Sequence, residues 1–344
     1  MKLLLSLLAC FLVPMAGGAL AADATLAALD RPAERARAPE RAVLLSAAVA
    51  DARWVAVGER GLVLRSDDSG KTWQQSPAPV SVTLTAVRFV DARHGIAVGH
   101  GGTVLVTEDG GQTWTRRLDG RQLAAQLLAV AKANGNAAAM KAAERFAADG
   151  PDKPLLDVLL TGPGRALVIG AYGLALATED GGRTWASWSD RLDNPKGLHL
   201  YAVRQRGECI VIAGEQGLVL RSDDAGRSFQ RVESPYRGSF FALELPASAE
   251  IVLAGLRGNV WHSVDNGATW SQWPVPMPAA ITASQITTDG TLLLANQAGF
   301  VLARRGDVFV PLNRAPLPPL NGLAAGPGGQ LLALSVQGVL PIKP

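Results

Sequence analysis

One phrase recurs five times along this chain and narrows what it can fold into. Ser66–Trp73 reads SDDSGKTW, Thr107–Trp114 TEDGGQTW, Thr178–Trp185 TEDGGRTW, Ser222–Phe229 SDDAGRSF and Ser263–Trp270 SVDNGATW. Its aspartates, Asp68, Asp109, Asp180, Asp224 and Asp265, stand 41, 71, 44 and 41 residues apart. Three intervals are one unit, and the fourth is one unit plus about 30 residues. Each phrase follows an apolar run broken by Gly-x-x-Gly, as in WVAVGERGLVLRS and GIAVGHGGTVLVT. Such a run reads as strand, tight glycine turn, strand. A sixth copy, LLLANQAGFVLARRG, lacks the aspartate phrase, and a seventh, LLALSVQGVLPI, ends the chain.

A further short apolar run opens each unit, and the residues after the Trp or Phe suit a fourth strand. Four antiparallel strands per 40-odd residues is a propeller blade. One such sheet buries neither face alone, whereas a ring of them buries both. The expected fold is therefore all-β: a seven-bladed β-propeller with four-stranded antiparallel blades over residues 41–344. Residues 22–40 are expected to supply the fourth strand of the last blade, although the prolines of DRPAERARAP leave room for only a short one.

The surplus between blades two and three, residues 119–150, is rich in Ala, Leu, Gln, Glu and Lys. These are good helix formers, broken at Asn134-Gly135-Asn136 and stopped at Asp149-Gly150-Pro151. Two helices are expected, about 119–133 and 136–148. Leu123, Leu127, Leu128 and Val130 would give the first an apolar side, and Met140 and Phe146 the second. The pair either caps the propeller or touches a partner.

Residues 1–21 carry Lys2, an apolar run and a small-residue ending at Ala19-Leu20-Ala21, the form of an export signal cleaved after Ala21. A lipoprotein box at Leu7-Leu8-Ala9-Cys10 is disfavoured because apolar residues still follow Cys10. The expected location is the periplasm or another exported compartment, and no further run is long enough to span a bilayer. Without the signal, Cys209 is the only cysteine, so packing alone holds the fold and Cys209 reads as a small core hydrophobe. A net charge of +3 with no basic helix excludes a strong nucleic-acid reading.

Within the phrase every residue has a structural use. Asp accepts backbone N–H groups of its own turn. Gly takes a backbone angle other residues resist. Thr and the aromatics Trp73, Trp114, Trp185, Phe229 and Trp270 begin a strand and bury area. Calcium binding is disfavoured, since no bidentate Glu follows. The phrase resembles the Asp-box, or BNR repeat, of sialidases and many other propellers. The longer pattern GxAVGxxGxVLxTxDGGxTW, as in Gly95–Trp114, more closely resembles the photosystem II stability/assembly factor family, over about residues 41–310. That resemblance implies a seven-bladed, exported, non-enzymatic propeller without cofactor or metal that assists a membrane protein complex. Some bacterial relatives resemble accessory proteins of RND/MMPL-type exporters.

The alternative is a sialidase-like glycan-binding or glycoside hydrolase propeller. It needs an arginine triad, an acid and a tyrosine nucleophile. Only Tyr172, Tyr201 and Tyr236 are available, none in a sialidase context, and His94, His100, His199 and His262 lack metal-ligand spacing. The variable pairs inside Gly-x-x-Gly differ from blade to blade and lie opposite the Asp-boxes. Arg60, His100, Tyr172, Glu215 and Arg257 are therefore the candidate partner-binding face, on a chain expected to be monomeric by itself.

Overall fold

The computed structural model describes residues 27–135 and 137–342. The signal peptide, its cleavage after Ala21 and Cys10 lie outside them. Seven antiparallel sheets follow one another, with hydrogen-bonded strands in chain order inside each. Among the described residues six sheets have four strands and the last has three. Blade one is Leu44–Ala50, Arg53–Gly58, Val63–Ser66 and Gln74–Ser76. The innermost strands of blades two to seven are Leu84–Phe89, Leu155–Gly162, Leu200–Arg206, Phe240–Glu244, Ile281–Ile286 and Leu320–Ala325.

The second strands, such as RWVAVG and CIVIAG, are buried along nearly their whole length. A strand apolar on both faces fits only between two other layers. Cores accordingly form between blades: Val55 and Val57 of blade one pack with Leu84, Ala97 and Leu105 of blade two. The ring closes in the same way, with Trp54 and Leu64 of blade one against Leu332 and Leu334 of blade seven. Asn321 Nδ2 donates to Leu44 O across that seam at 3.1 Å. Each innermost strand also breaks register near its start, in blade two between Leu84 and Ala86. This bulge turns the skipped residue toward the axis.

The described part of the N-terminal segment, residues 27–40, forms no strand on blade seven, contrary to expectation. It crosses the seam of blades one and two instead. Ser81 N donates to Ala28 O at 2.8 Å, Ala33 N to Ala78 O at 3.0 Å, and Gln75 Nε2 to Glu34 O at 2.9 Å. Leu29, 0% exposed, fills the core beside Val80 and Trp114. Asp30 pairs with Arg121 at 2.8 Å and reaches Arg116 at 3.3 Å. A buried leucine and two arginine partners hold the segment more firmly than a short proline-flanked edge strand would.

The insertion forms helices Gly120–Ala133 and Ala137–Ala148, close to expectation. Asp119 caps the first in a capping box with Gln122. Leu123 is buried, and Leu127 and Phe146 pack against blades two and three. Val130 is 60% exposed and does not belong to the docked side. Among the described residues no helix is long and apolar enough to cross a membrane. Replacing Leu29→Ala should cost about 2–5 kcal/mol, the usual range for emptying a leucine site. Urea unfolding checks this, with the far-UV spectrum unchanged.

Candidate functional site

The Asp-boxes form corners between strands three and four. In blade two, Thr107 Oγ1 donates to Asp109 Oδ1 at 2.8 Å and accepts from Gly111 N at 2.9 Å. Thr113 N donates to Asp109 Oδ1 at 2.9 Å and Thr113 Oγ1 to Asp109 Oδ2 at 2.6 Å. The same Ser/Thr–Asp–Thr/Ser cage surrounds Asp68, Asp180, Asp224 and Asp265. Both carboxylate oxygens are thus engaged by the chain's own donors, and a cation would have to displace them.

Gly111, at φ 82°, stands so close to Val55 of the preceding blade that a Cβ would approach its methyl to 3.1 Å. Trp114 lies in the same seam and donates its indole N–H to Gly111 O at 3.2 Å. Trp73 and Trp185 repeat this bond, whereas Trp270 reaches back to Glu233 O of blade four at 3.0 Å. Phe229 wedges its ring against blade three, and its backbone N donates to Arg191 O at 3.0 Å. Each corner therefore fastens its own blade to the one before it.

The Gly-x-x-Gly turns lie at the opposite end. Glu59 N, His100 N, Ala171 N, Glu215 N and Leu256 N each donate to the carbonyl preceding the innermost strand of their own blade. The box turns bond the hairpins between strands one and two instead, as Gly110 N does to Arg93 O. Arg60, Tyr172, Gln216 and Arg257 take φ of 54°, 57°, 53° and 56°. Left-handed backbone is unfavourable for such side chains, about 1–3 kcal/mol each, and glycine would relieve it. His100 sits beside Gly101, which takes the strained angle in blade two, and burial pushes its imidazole below the usual range.

Tyr172, 62% exposed, begins a run of aromatic rings that the sequence did not reveal. Ring centroids are 5.0 Å apart from Tyr172 to His199, 6.1 Å from His199 to Tyr201, and 5.0 Å from Tyr201 to Phe241. Glu215 stands alongside, its Oε2 accepting from His199 N at 3.2 Å. Tyr201 and Phe241 are bulge residues at the mouth of a central cavity of about 500 Å³.

Deeper in that cavity lies a charge layer. Arg88 Nη2 meets Asp157 Oδ1 at 3.1 Å and Arg204 Nη1 meets Asp157 Oδ2 at 2.8 Å. Arg204 Nε approaches Glu244 at 3.7 Å, and Ser284 Oγ donates to Glu244 at 2.8 Å. Asp157 also accepts from Val158 N and Val203 N. Burial lowers the Arg88 guanidinium. It lowers Arg204 as well, but Asp157 and Glu244 outweigh it and the net shift is upward. Two arginines neutralised by two carboxylates do not present an open anion clamp. Burial and the Glu215 charge push the Tyr201 phenol up, away from the phenolate a nucleophile would need. Nothing in this geometry favours the sialidase alternative.

Segments 71–140 and 136–237 match the family described as photosynthesis system II assembly factor YCF48. The photosystem II assembly lipoprotein Ycf48 of Synechococcus sp. (strain CC9902) is 24% identical over 146 residues, a match spanning 42% of this chain and 44% of that protein. The chain is a photosystem II assembly factor-like BNR propeller. Among solved structures, Ycf48 bound to a D1 peptide matches with a TM-score of 0.67 and 16% identity, covering 91% of this chain and 99% of that one. Ycf48 from Cyanidioschyzon merolae matches at 0.65 and 16% identity, covering 89% and 97%. The WD40 propeller domain of Doa1 matches at 0.64 with 8% identity, covering 91% and 95%, so this likeness speaks for the fold alone.

In this assembly factor-like propeller the boxes set the response to acid. Backbone and side-chain hydrogen bonds from Thr184 lower Asp180 to about 2, and those from Thr269 lower Asp265 to about 2. Asp68 and Asp224 are lowered by their Thr72 and Ser222 hydroxyls, and Asp109 by Thr113 against the opposing effect of burial. A carboxyl lowered in the folded state adds stability above its unfolded value of about 4 and loses it as pH falls toward the folded value. Stability should therefore hold from pH 7 to 5 and fall steeply from about pH 4 to 2, read by urea unfolding at stepped pH. Asp157→Asn should cost about 3–5 kcal/mol in the same assay, because it leaves two arginines short of a partner.

Proposed function

We propose that this propeller is an exported, non-catalytic assembly or accessory factor that holds an extramembrane segment of a membrane protein complex on its Gly-x-x-Gly face. The observation that carries the reading is the backbone at Arg60, Tyr172, Gln216 and Arg257, left-handed in all four. Glycine would serve the turn better, and the blade repeat already places glycine next to each position. Retaining a large exposed side chain against that strain supports a use for the side chain itself. Two of the four are cationic, and Tyr172 starts an aromatic run leading to the channel mouth. Such a surface suits an irregular peptide with mixed polar and apolar groups.

Two likenesses support the wider setting: a Ycf48 structure has a bound D1 peptide, and the Synechococcus relative is a lipoprotein. At finer grain we assign the partner to an RND-type exporter, on the resemblance to bacterial accessory proteins.

The test is crosslinked affinity capture from membranes of the native host. Wild type should recover one membrane complex, with an exporter subunit for the finer reading. Tyr172→Gly together with Arg257→Gly should cut recovery at least about tenfold, as removal of anchor residues does. The same double variant should unfold no more easily than wild type, because glycine relieves the left-handed strain. Equal recovery by the variant would overturn the role of this face, and recovery of no membrane protein would overturn the function.

A further inference from the structure

Blade seven is the one sheet with three strands among the described residues, so its third strand, Gly338–Ile342, presents an open edge. An open edge carries main-chain groups arranged to pair with another strand. Pro341 stands in it without an N–H, and proline inside a sheet is confined to edge positions. The neighbouring seam is open as well. In blades one and four the outer strand is covered by the next blade's corner: Ser76 Oγ donates to Gly111 O at 2.7 Å, and Val232 lies beneath Gly267. Blade seven has no box, and the outer strand of blade six, Val308–Pro311, lacks that cover.

Phe309 points toward Trp273 of blade five, so its neighbours in the strand, Val308 and Val310, face the other way, toward blade seven. They are 52% and 38% exposed. Among the described residues an unpaired edge and two exposed valines thus border a notch where a fourth strand of blade seven would run.

We infer that this notch is a docking site for an extended peptide segment of a partner protein, with alternate apolar side chains, which completes blade seven as its fourth strand. Among the described N-terminal residues, Ala28, Ala33, Glu34 and Ala36 are bonded to blade one and its linker, and Glu40 and Arg41 come against this strand at its first residue, Gly338. A second copy fits poorly: pairing two Gly338–Ile342 strands would set one proline-bearing edge against another, each short of a donor. A partner strand with its full set of N–H groups leaves only the carbonyl opposite Pro341 without a donor. The uncharged edge and Val308 and Val310 select apolar side chains on the inward face. This site is separate from the Gly-x-x-Gly face, and either can fail without the other.

The test uses the full chain and a capped, fluorescein-labelled Thr-Trp-Thr-Val-Thr-Val hexapeptide, begun like the chain's own fourth strands. Hydrogen exchange at residues 339–342 should be fast in the free protein compared with the third strands of blades one to five, and should slow at least about fivefold with saturating peptide. Fluorescence polarisation should show saturable binding. It should weaken at least about tenfold when alternate peptide nitrogens are methylated, and likewise with Val310→Lys, a surface change that leaves folding intact. Equal binding of the methylated peptide would mean mere apolar adsorption and would overturn the proposal. So would slow exchange at 339–342 before peptide is added. If that protection is independent of protein concentration, the chain covers its own edge; if it grows with concentration, a second copy does.

Discussion

A four-stranded sheet with two apolar faces has nowhere to put them except against other sheets, and this one constraint organises the whole molecule. Apolar burial is worth about 25 cal/mol per Å², but a single blade of this chain can collect it only by having a neighbour on each side. The Asp-box is the local device that makes the neighbour fit. Its carboxylate is saturated by its own turn, which fixes two successive left-handed residues, such as Gly110 and Gly111. The second has no Cβ, and the preceding blade presses into that space. The aromatic that follows fills the rest of the seam. Caging, close approach and wedging are three consequences of one eight-residue phrase.

That logic explains which parts were legible in the sequence. The boxes, the blade count and the two inserted helices are local: the residues that determine them are within one phrase or one helical period. The central charge layer is not local. Arg88, Asp157, Arg204 and Glu244 belong to four blades, and each reads in sequence as an ordinary strand residue. The aromatic run was half visible. Tyr172 stood out as a variable turn residue, but Tyr201 and Phe241 join it, by way of His199, only because bulges turn them inward. The N-terminal segment was misplaced because prolines and arginines give no period, and its position depends on Leu29 finding a gap between two other blades.

The two faces of the ring have different chemistry for a physical reason. At the box end, the Ser/Thr, Asp and Thr/Ser side chains of the motif are spent on their own corner, so the surface there is the outside of a fastening. At the other end, the turn is closed by backbone hydrogen bonds alone, as from Leu62 N to Glu59 O. Of the side chains in between, Glu215 accepts from His199 N, while the turn itself asks nothing of Arg60, Gln216 and Arg257. A repeat can vary such residues without loosening a blade, and here variation has gone as far as accepting left-handed tyrosine, glutamine and arginine.

The repeat is also informative where it breaks. The insertion after blade two is tied back to the ring by the N-terminal segment, through Asp30 to Arg121 and Arg116, and by Gly102 N to Lys153 O. Blades six and seven have lost the box, and the consequences differ. Blade six replaces the corner's aromatic with Phe309 against Trp273 and keeps its fourth strand. Among the described residues blade seven has no fourth strand, and its neighbour's Val308 and Val310 stay exposed. A ring whose other seams are welded can tolerate one unfinished seam, because the inner strands of blades six, seven and one still close the core behind it. The core behind that seam is thus continuous without a fourth strand among the described residues, and that is the position the proposed partner strand would take.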